Sequence, residues 1–117
     1  MEIYDTTQSA LEKAILGSSA RQQAITESLA NVDTPGYQRV DVDFHKTLRD
    51  AMASGKPGLQ NATFSPQRDA TAQVRADGST VDADVEAAAM ARNGLEYETL
   101  VQLSKARVDI IEAAMGR

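Results

Sequence analysis

A helical pattern runs in from the N-terminus and cannot pass Thr34-Pro35-Gly36. The residue before a proline is pushed out of the α region by the pyrrolidine ring, so Thr34 must leave the helix. Pro35-Gly36 fits the central pair of a type II turn, proline presetting the first φ and glycine supplying φ > 0 at the second. Asn31, which tolerates the left-handed conformation, is placed to end the helix just before. One helix is therefore expected within residues 1–34, and the next long helical pattern comes only at the far end of the chain.

That first helix is predicted to begin near Asp5, which with Gln8 three positions on has the form of a capping box. Tyr4, Leu11, Ser18, Ile25 and Val32 lie on one seven-residue repeat, and Gln8, Ile15, Gln22 and Leu29 on a second. Two interleaved repeats make a coiled-coil-like seam. Its middle is polar at Ser18 and Gln22, and Gly17 costs about 1 kcal/mol relative to alanine. Such a helix needs a partner to persist.

Beyond the break, Phe44, Leu48 and Met52 are spaced by four, predicting a short helix over about residues 43–54 with Gly55 as its stop. Residues 55–80 hold Gly55, Pro57, Gly58, Pro66 and Gly78 among many Thr, Gln and Asn. They read as a flexible, irregular loop with short extended pieces around Phe64 and Val74, and Asp77-Gly78 marks a turn.

The C-terminal pattern is the longest. Asp82, Asp84 and Glu86 set negative charge at a helix N-terminus, where capping and the macrodipole favour it. Met90, Gly94, Tyr97, Val101, Ser104, Val108, Ile111 and Met115 then alternate steps of four and three, with Gly94 interrupting the apolar seam. Leu100, Leu103, Ile110 and Ala114 form a second stripe, and the polar residues shrink to Glu98, Gln102, Lys105, Asp109 and Glu112. A helix covered by one neighbour needs an apolar arc of roughly 100°, and here the arc is about twice that. One N-terminal helix with a partly polar seam cannot hide it, so the pattern asks for oligomerisation. The expected fold is all-α: residues 1–34 and 81–117 pair as a coiled-coil-like hairpin, and residues 35–80 supply the turn, the short helix and the loop. A monomeric three-helix bundle is the plainer alternative, weakened by the short third helix.

Composition narrows the function. The chain of 117 residues carries a net charge of -5 and a pI near 4.7, which disfavours nucleic acid as a partner. No cysteine is present, so disulfides and thiolate metal sites are excluded. The opening Met1-Glu2-Ile3-Tyr4-Asp5 has no basic n-region leading into an apolar run, so no cleaved secretory signal is expected. His45, the single histidine, lies near Asp41 and Asp43, but the spacing matches no recurring ligand set and a structural role is expected. The acids 82, 84 and 86 lack the loop glycine and bidentate glutamate of a calcium loop, so helix capping accounts for them. Tyr37 and Tyr97 read as packing residues. With no phosphate loop, nucleophile elbow or Cys–His pair, no enzyme, cofactor or small-molecule substrate is expected.

Three stretches carry a family resemblance. Ala30-Asn31 with Thr34-Pro35-Gly36-Tyr37 resembles the signature turn of the bacterial flagellar axial proteins. Asp41-Val42-Asp43-Phe44 follows at the distance seen in flagellar basal-body rod proteins, and residues 77–86 with Met90-Ala91, Asn93, Leu95 and Tyr97 resemble their C-terminal helix and its lead-in. The resemblance implies a structural subunit whose terminal helices pair at the centre of a hollow helical rod. It implies export by the flagellar type III apparatus, assembly at the inner-membrane ring, and a rod that crosses the periplasm and transmits torque. The implied partners are copies of the same chain, other rod proteins, the rod base and the export apparatus. Residues expected at subunit interfaces are Leu11, Ile15, Ile25, Leu29, Val32, Met90, Tyr97, Leu100, Val101, Leu103, Val108, Ile110, Ile111 and Met115. The strip Glu98, Gln102, Lys105, Asp109 and Glu112 is expected to face the export channel. A small helical adaptor or export chaperone is the rival reading.

Overall fold

The computed structural model describes residues 2–116, with side chains from Thr6 onward. Two long antiparallel helices form a flat ribbon measuring 61 × 27 × 15 Å. These are α1 (Glu2–Ala30) and α4 (Ala83–Ala114). Between them lie β1 (Val40–Asp41), α2 (Phe44–Ala53), α3 (Gly55–Gln60) and β2 (Gln67–Arg68). The two short strands pair antiparallel, Val40 opposite Arg68 and Asp41 opposite Gln67. The chain is thus mainly helical with paired terminal helices as expected, but not strictly all-α.

The helix boundaries correct several expectations. α1 starts at Glu2, so Asp5 lies inside the helix rather than capping it. The side chain of Tyr4, expected on the first heptad repeat, falls outside the described residues. α1 does end at Asn31, but among the described residues only glycines have positive φ, so no left-handed asparagine is involved. Instead the Asn31 side-chain amide donates to the Glu27 carbonyl at 2.8 Å, and its oxygen accepts from the Thr34 hydroxyl at 3.1 Å. The turn that follows closes as predicted: Gly36 has φ 76° and the Tyr37 amide donates to the Thr34 carbonyl at 3.2 Å.

α2 matches the predicted short helix closely. Its cap is Asp43, which accepts from the Lys46 amide at 3.2 Å. The stretch predicted as a flexible, irregular loop departs most. Residues 55–60 form a helix that buries Leu59 completely. Pro57 is tolerated there because the first turn has no intrahelical partner for its missing N–H. The extended piece expected near Phe64 is found slightly later, as β2; Val74 is exposed and lies in no strand.

The core sits on α1. Ala24, Val42 and Phe44 are buried together, with Ala20, Val40 and Phe64 packed around them. Gly17, counted above as a cost, is what lets Phe44 reach the helix. A Cβ at Gly17 would stand 2.6 Å from the Phe44 Cβ and 2.9 Å from the Phe64 ring. α2 and α3 pack on α1 and on each other, not on α4. α2 reaches α4 through the side-chain contact of His45 with Glu96. This is a hairpin with an appended lobe, not a three-helix bundle.

Candidate assembly surface

Two hydrogen-bonded turns close one end of the hairpin. The Gly36 amide donates to the Asp77 carbonyl at 3.0 Å, and the Thr80 amide to the Tyr37 carbonyl at 2.9 Å. Gly36 and Gly78, both at positive φ, face each other so closely that a Cβ on Gly78 would lie 3.6 Å from the Gly36 Cα. The Arg75 guanidinium spans the same junction, donating to the Val32 carbonyl at 2.7 Å and the Val81 carbonyl at 3.2 Å. The stretches around residues 31–38 and 75–81, far apart in sequence, are therefore one clasp.

Under the clasp lies a buried ion cluster that the sequence did not single out. Arg39 makes a two-pronged contact with Glu86, the second prong running from Nη2 to Oε2 at 3.3 Å. Its Nη1 also donates to Asp69 at 2.6 Å. Glu86 is fully buried. Asp41 stands 3.6 Å from Arg39 Nη1 and accepts from Arg21 at 3.1 Å. Burial by itself would lower the Arg39 pKa; hydrogen bonds to Glu86 and Asp69, and their charge, overcome this and raise it. The Asp69 carboxyl is lowered, first by the hydrogen bond from the Thr71 hydroxyl and also by Arg39. Glu86 therefore does more than complement the helix dipole. Of the three acids expected to cap α4, it is Asp82 that caps, accepting from the Asp84 and Val85 amides at 2.9 and 3.3 Å. His45, Asp41 and Asp43 do not converge: one contacts Glu96, one Arg21 and one the α2 N-terminus.

The α1–α4 seam is polar where it is most buried. The Asn93 amide donates to the Ser18 carbonyl and to Gln22 Oε1, both at 2.9 Å, and the Ser18 hydroxyl lies 3.4 Å from Asn93 Oδ1. Further along, Gln8 donates to Ser104 at 3.0 Å. Ser18 and Gln22 are thus paired across the interface rather than gaps in an apolar stripe. α4 is also turned from its predicted register. Glu86, Asn93 and Leu100 face α1 along with Met90, Ser104 and Ile111, while Val101, Val108 and Met115 are left exposed. Gly94 lies beside the seam rather than interrupting it. The signal for this was available: a helix with two polar seam residues calls for a polar partner, and Asn93 shares a seven-residue repeat with Leu100.

The residues expected at interfaces accordingly divide. Ile25 is buried within the chain, and Leu11, Ile15, Leu29, Val32, Met90, Leu100 and Ile111 are half-buried. Tyr97, Val101, Leu103, Val108, Ile110 and Met115 are exposed, with Leu95 and Val85 beside them. The strip Glu98, Gln102, Lys105, Asp109 and Glu112 is exposed as well. In the signature turn, Thr34, Pro35 and Gly36 are exposed while Asn31 and Tyr37 are half-buried. Among the described residues, no cluster of acids and histidine could hold a metal, and no helix is long and apolar enough to cross a membrane.

Comparison with known proteins bears on what this surface belongs to. No model of a known protein family matches the chain. Individual proteins do. A flagellar basal body rod protein FlgB of Salmonella typhimurium is 31% identical over 74% of this chain and 76% of its own length. The FlgB of Aeromonas hydrophila is 29% identical over 84% of each chain, and that of Bacillus subtilis 26% identical over 98% of this chain and 97% of its own. The chain belongs to the FlgB family of flagellar basal body rod proteins. It is a structural component of the flagellum, not an enzyme. The FlgB assignment gives the clasp and the bare α4 a setting in the rod of the basal body.

Proposed function

We propose that this chain polymerises through its terminal helices into the rod, as part of a hollow helical shaft that crosses the periplasm, transmits torque and encloses the export channel. One observation carries this reading: α4 exposes Tyr97, Val101, Leu103, Val108, Ile110 and Met115, and its own chain offers nothing more to cover them. Full burial of such side chains against neighbours favours assembly by about 1.5–3 kcal/mol each. Residues 1–34 and 81–117 then make the assembling helical layer, and residues 35–80 ride on it as the lobe and clasp. The partners are copies of this chain, other rod proteins and the rod base at the inner-membrane ring. Delivery is by the flagellar type III apparatus.

Glu98, Gln102, Lys105, Asp109 and Glu112 form the wetted side of α4 and are assigned to the channel. The test is a flagellated bacterium whose own copy is replaced by a Val101→Glu, Leu103→Glu chain. Export without rods or motility is expected; normal rods would overturn the reading. Charge reversal along the strip should impair export more than assembly, and an assembly block instead would mean that the strip is buried.

A further inference from the structure

The exposed apolar residues of α4 do not form one continuous face. At 3.6 residues per turn, with Asn93 and Glu86 turned to α1, Tyr97, Val101, Val108 and Met115 lie on one side of the seam. Val85, Leu95, Leu103 and Ile110 lie on the other. The polar strip Glu98, Gln102, Lys105, Asp109 and Glu112 separates the two on the side away from α1. The flanks differ in shape. Beside Tyr97, a cavity of about 210 Å³ opens between Ser19, Gln22 and Gly94. Among the described residues, no atom comes within 4 Å of the position a Cβ would take at Gly94. The opposite flank is a ridge, with Leu95 68% and Ile110 65% exposed. They also differ in charge: the exposed Arg92 lies in line with Leu103 and Ile110, whereas Glu98 and Glu112 border the hollow flank.

The surface is large enough for both flanks to be used. A compact monomer of 12.6 kDa should expose about 6,200 Å², and this chain exposes 7547 Å². The surplus, about 1,300 Å², exceeds the roughly 800 Å² that each partner contributes to a standard interface.

We propose that the occupant of each flank is a second copy of this chain, joined head to tail. The Leu103–Ile110 ridge of one copy seats in the Gly94 hollow of the next, with Arg92 set against Glu98 and Glu112. Because the two flanks are different surfaces, the contact is heterologous. It leaves a free ridge at one end and a free hollow at the other, so the assembly grows as an open helix rather than closing as a dimer. This rests on the polymerisation reading and names the surfaces that perform it.

Gly94→Leu fills the hollow and leaves the ridge; Leu103→Glu, Ile110→Glu spoils the ridge and leaves the hollow. Neither change touches the clasp or the Asn93 seam, and circular dichroism checks that each chain stays helical. Val101→Glu serves for the hollow if Gly94→Leu does not fold. The full-length purified chains are followed by sedimentation velocity at rising concentration. Wild type is expected to form a ladder of growing species and each variant to stay monomeric. An equimolar mixture of the two variants is expected to form a one-to-one dimer that grows no further. A wild type that associates while the mixture stays monomeric, or a ridge variant that still polymerises, would overturn the head-to-tail contact but not polymerisation. A wild type that stays monomeric, or associates only with another rod protein, would overturn self-polymerisation and this contact with it.

Discussion

The buried Arg39–Glu86 contact gives the most quantitative prediction. Glu86→Ala leaves a guanidinium whose side chain is only 10% exposed without its fully buried partner. Removing one member of a buried pair costs about 3–5 kcal/mol. Asp69, at 2.6 Å from Nη1, still answers part of the charge, so the lower end, about 3 kcal/mol, is expected. A chain this size has perhaps 6–18 kcal/mol of total stability at about 0.05–0.15 kcal/mol per residue, and an elongated one belongs near the bottom of that range. The loss should lower the melting temperature by roughly 10–20 °C, since about 1 kcal/mol moves a domain near this size by about 4–8 °C. Far-UV circular dichroism against temperature and urea reads it directly. Arg39→Met with Glu86→Leu removes both charges and should recover most of the loss, because a matched apolar pair avoids desolvation. A Glu86→Ala chain within about 0.5 kcal/mol of wild type, or a double variant as unstable as the single one, would refute the pairing as a stabilising contact.

Other consequences can be checked alongside. Gly17→Ala gains about 1 kcal/mol of helix propensity, but its Cβ would meet Phe44 at 2.6 Å. A net loss of about 1–3 kcal/mol is therefore expected in urea denaturation. Asn93→Ala strands Gln22 and the Ser18 carbonyl and should cost about 1–3 kcal/mol; Asn93→Leu should recover stability while admitting other helix registers, seen as doubled resonances in heteronuclear NMR. The lowered Asp69 pKa contributes stability that is present above the unfolded value of about 3.9 and lost as pH falls through the folded one. Denaturation midpoints should therefore drop below roughly pH 4, and less steeply in Asp69→Asn. Arg39, whose pKa is raised, contributes fully below its ordinary value and adds no pH dependence near neutrality.

Much of the architecture could be read from residue order because local rules decide it. Thr34-Pro35-Gly36 stops a helix whatever surrounds it, Asp82 caps and Asp43 caps, and the turn at Asp77-Gly78 is glycine chemistry. What escaped depends on contacts between distant residues. Gly17 looks like a weakness until Phe44 is brought against it. Ser18 and Gln22 look like flaws until Asn93 is placed opposite. Arg39 and Glu86 are ordinary charged residues separated by β1, α2, α3 and β2, and only the folded chain makes them a pair. The helix over residues 55–60 was masked by glycine and proline, which α3 tolerates because it is one short turn packed under Leu59. The register of α4 was misjudged for a related reason. Apolar spacing alone favours burying Val101 and Val108, but hydrogen bonding to Asn93 turns the helix and leaves them out.

The exposure of the α4 flanks can be tested without disturbing any native thiol, since the chain has no cysteine. Single Leu103→Cys, Ile110→Cys and Val101→Cys chains are alkylated as purified protein and again in isolated basal bodies. Fast labelling of the purified chains and strong protection in the rod are the expected results. Equal labelling in both states would contradict the burial of these flanks by neighbouring subunits.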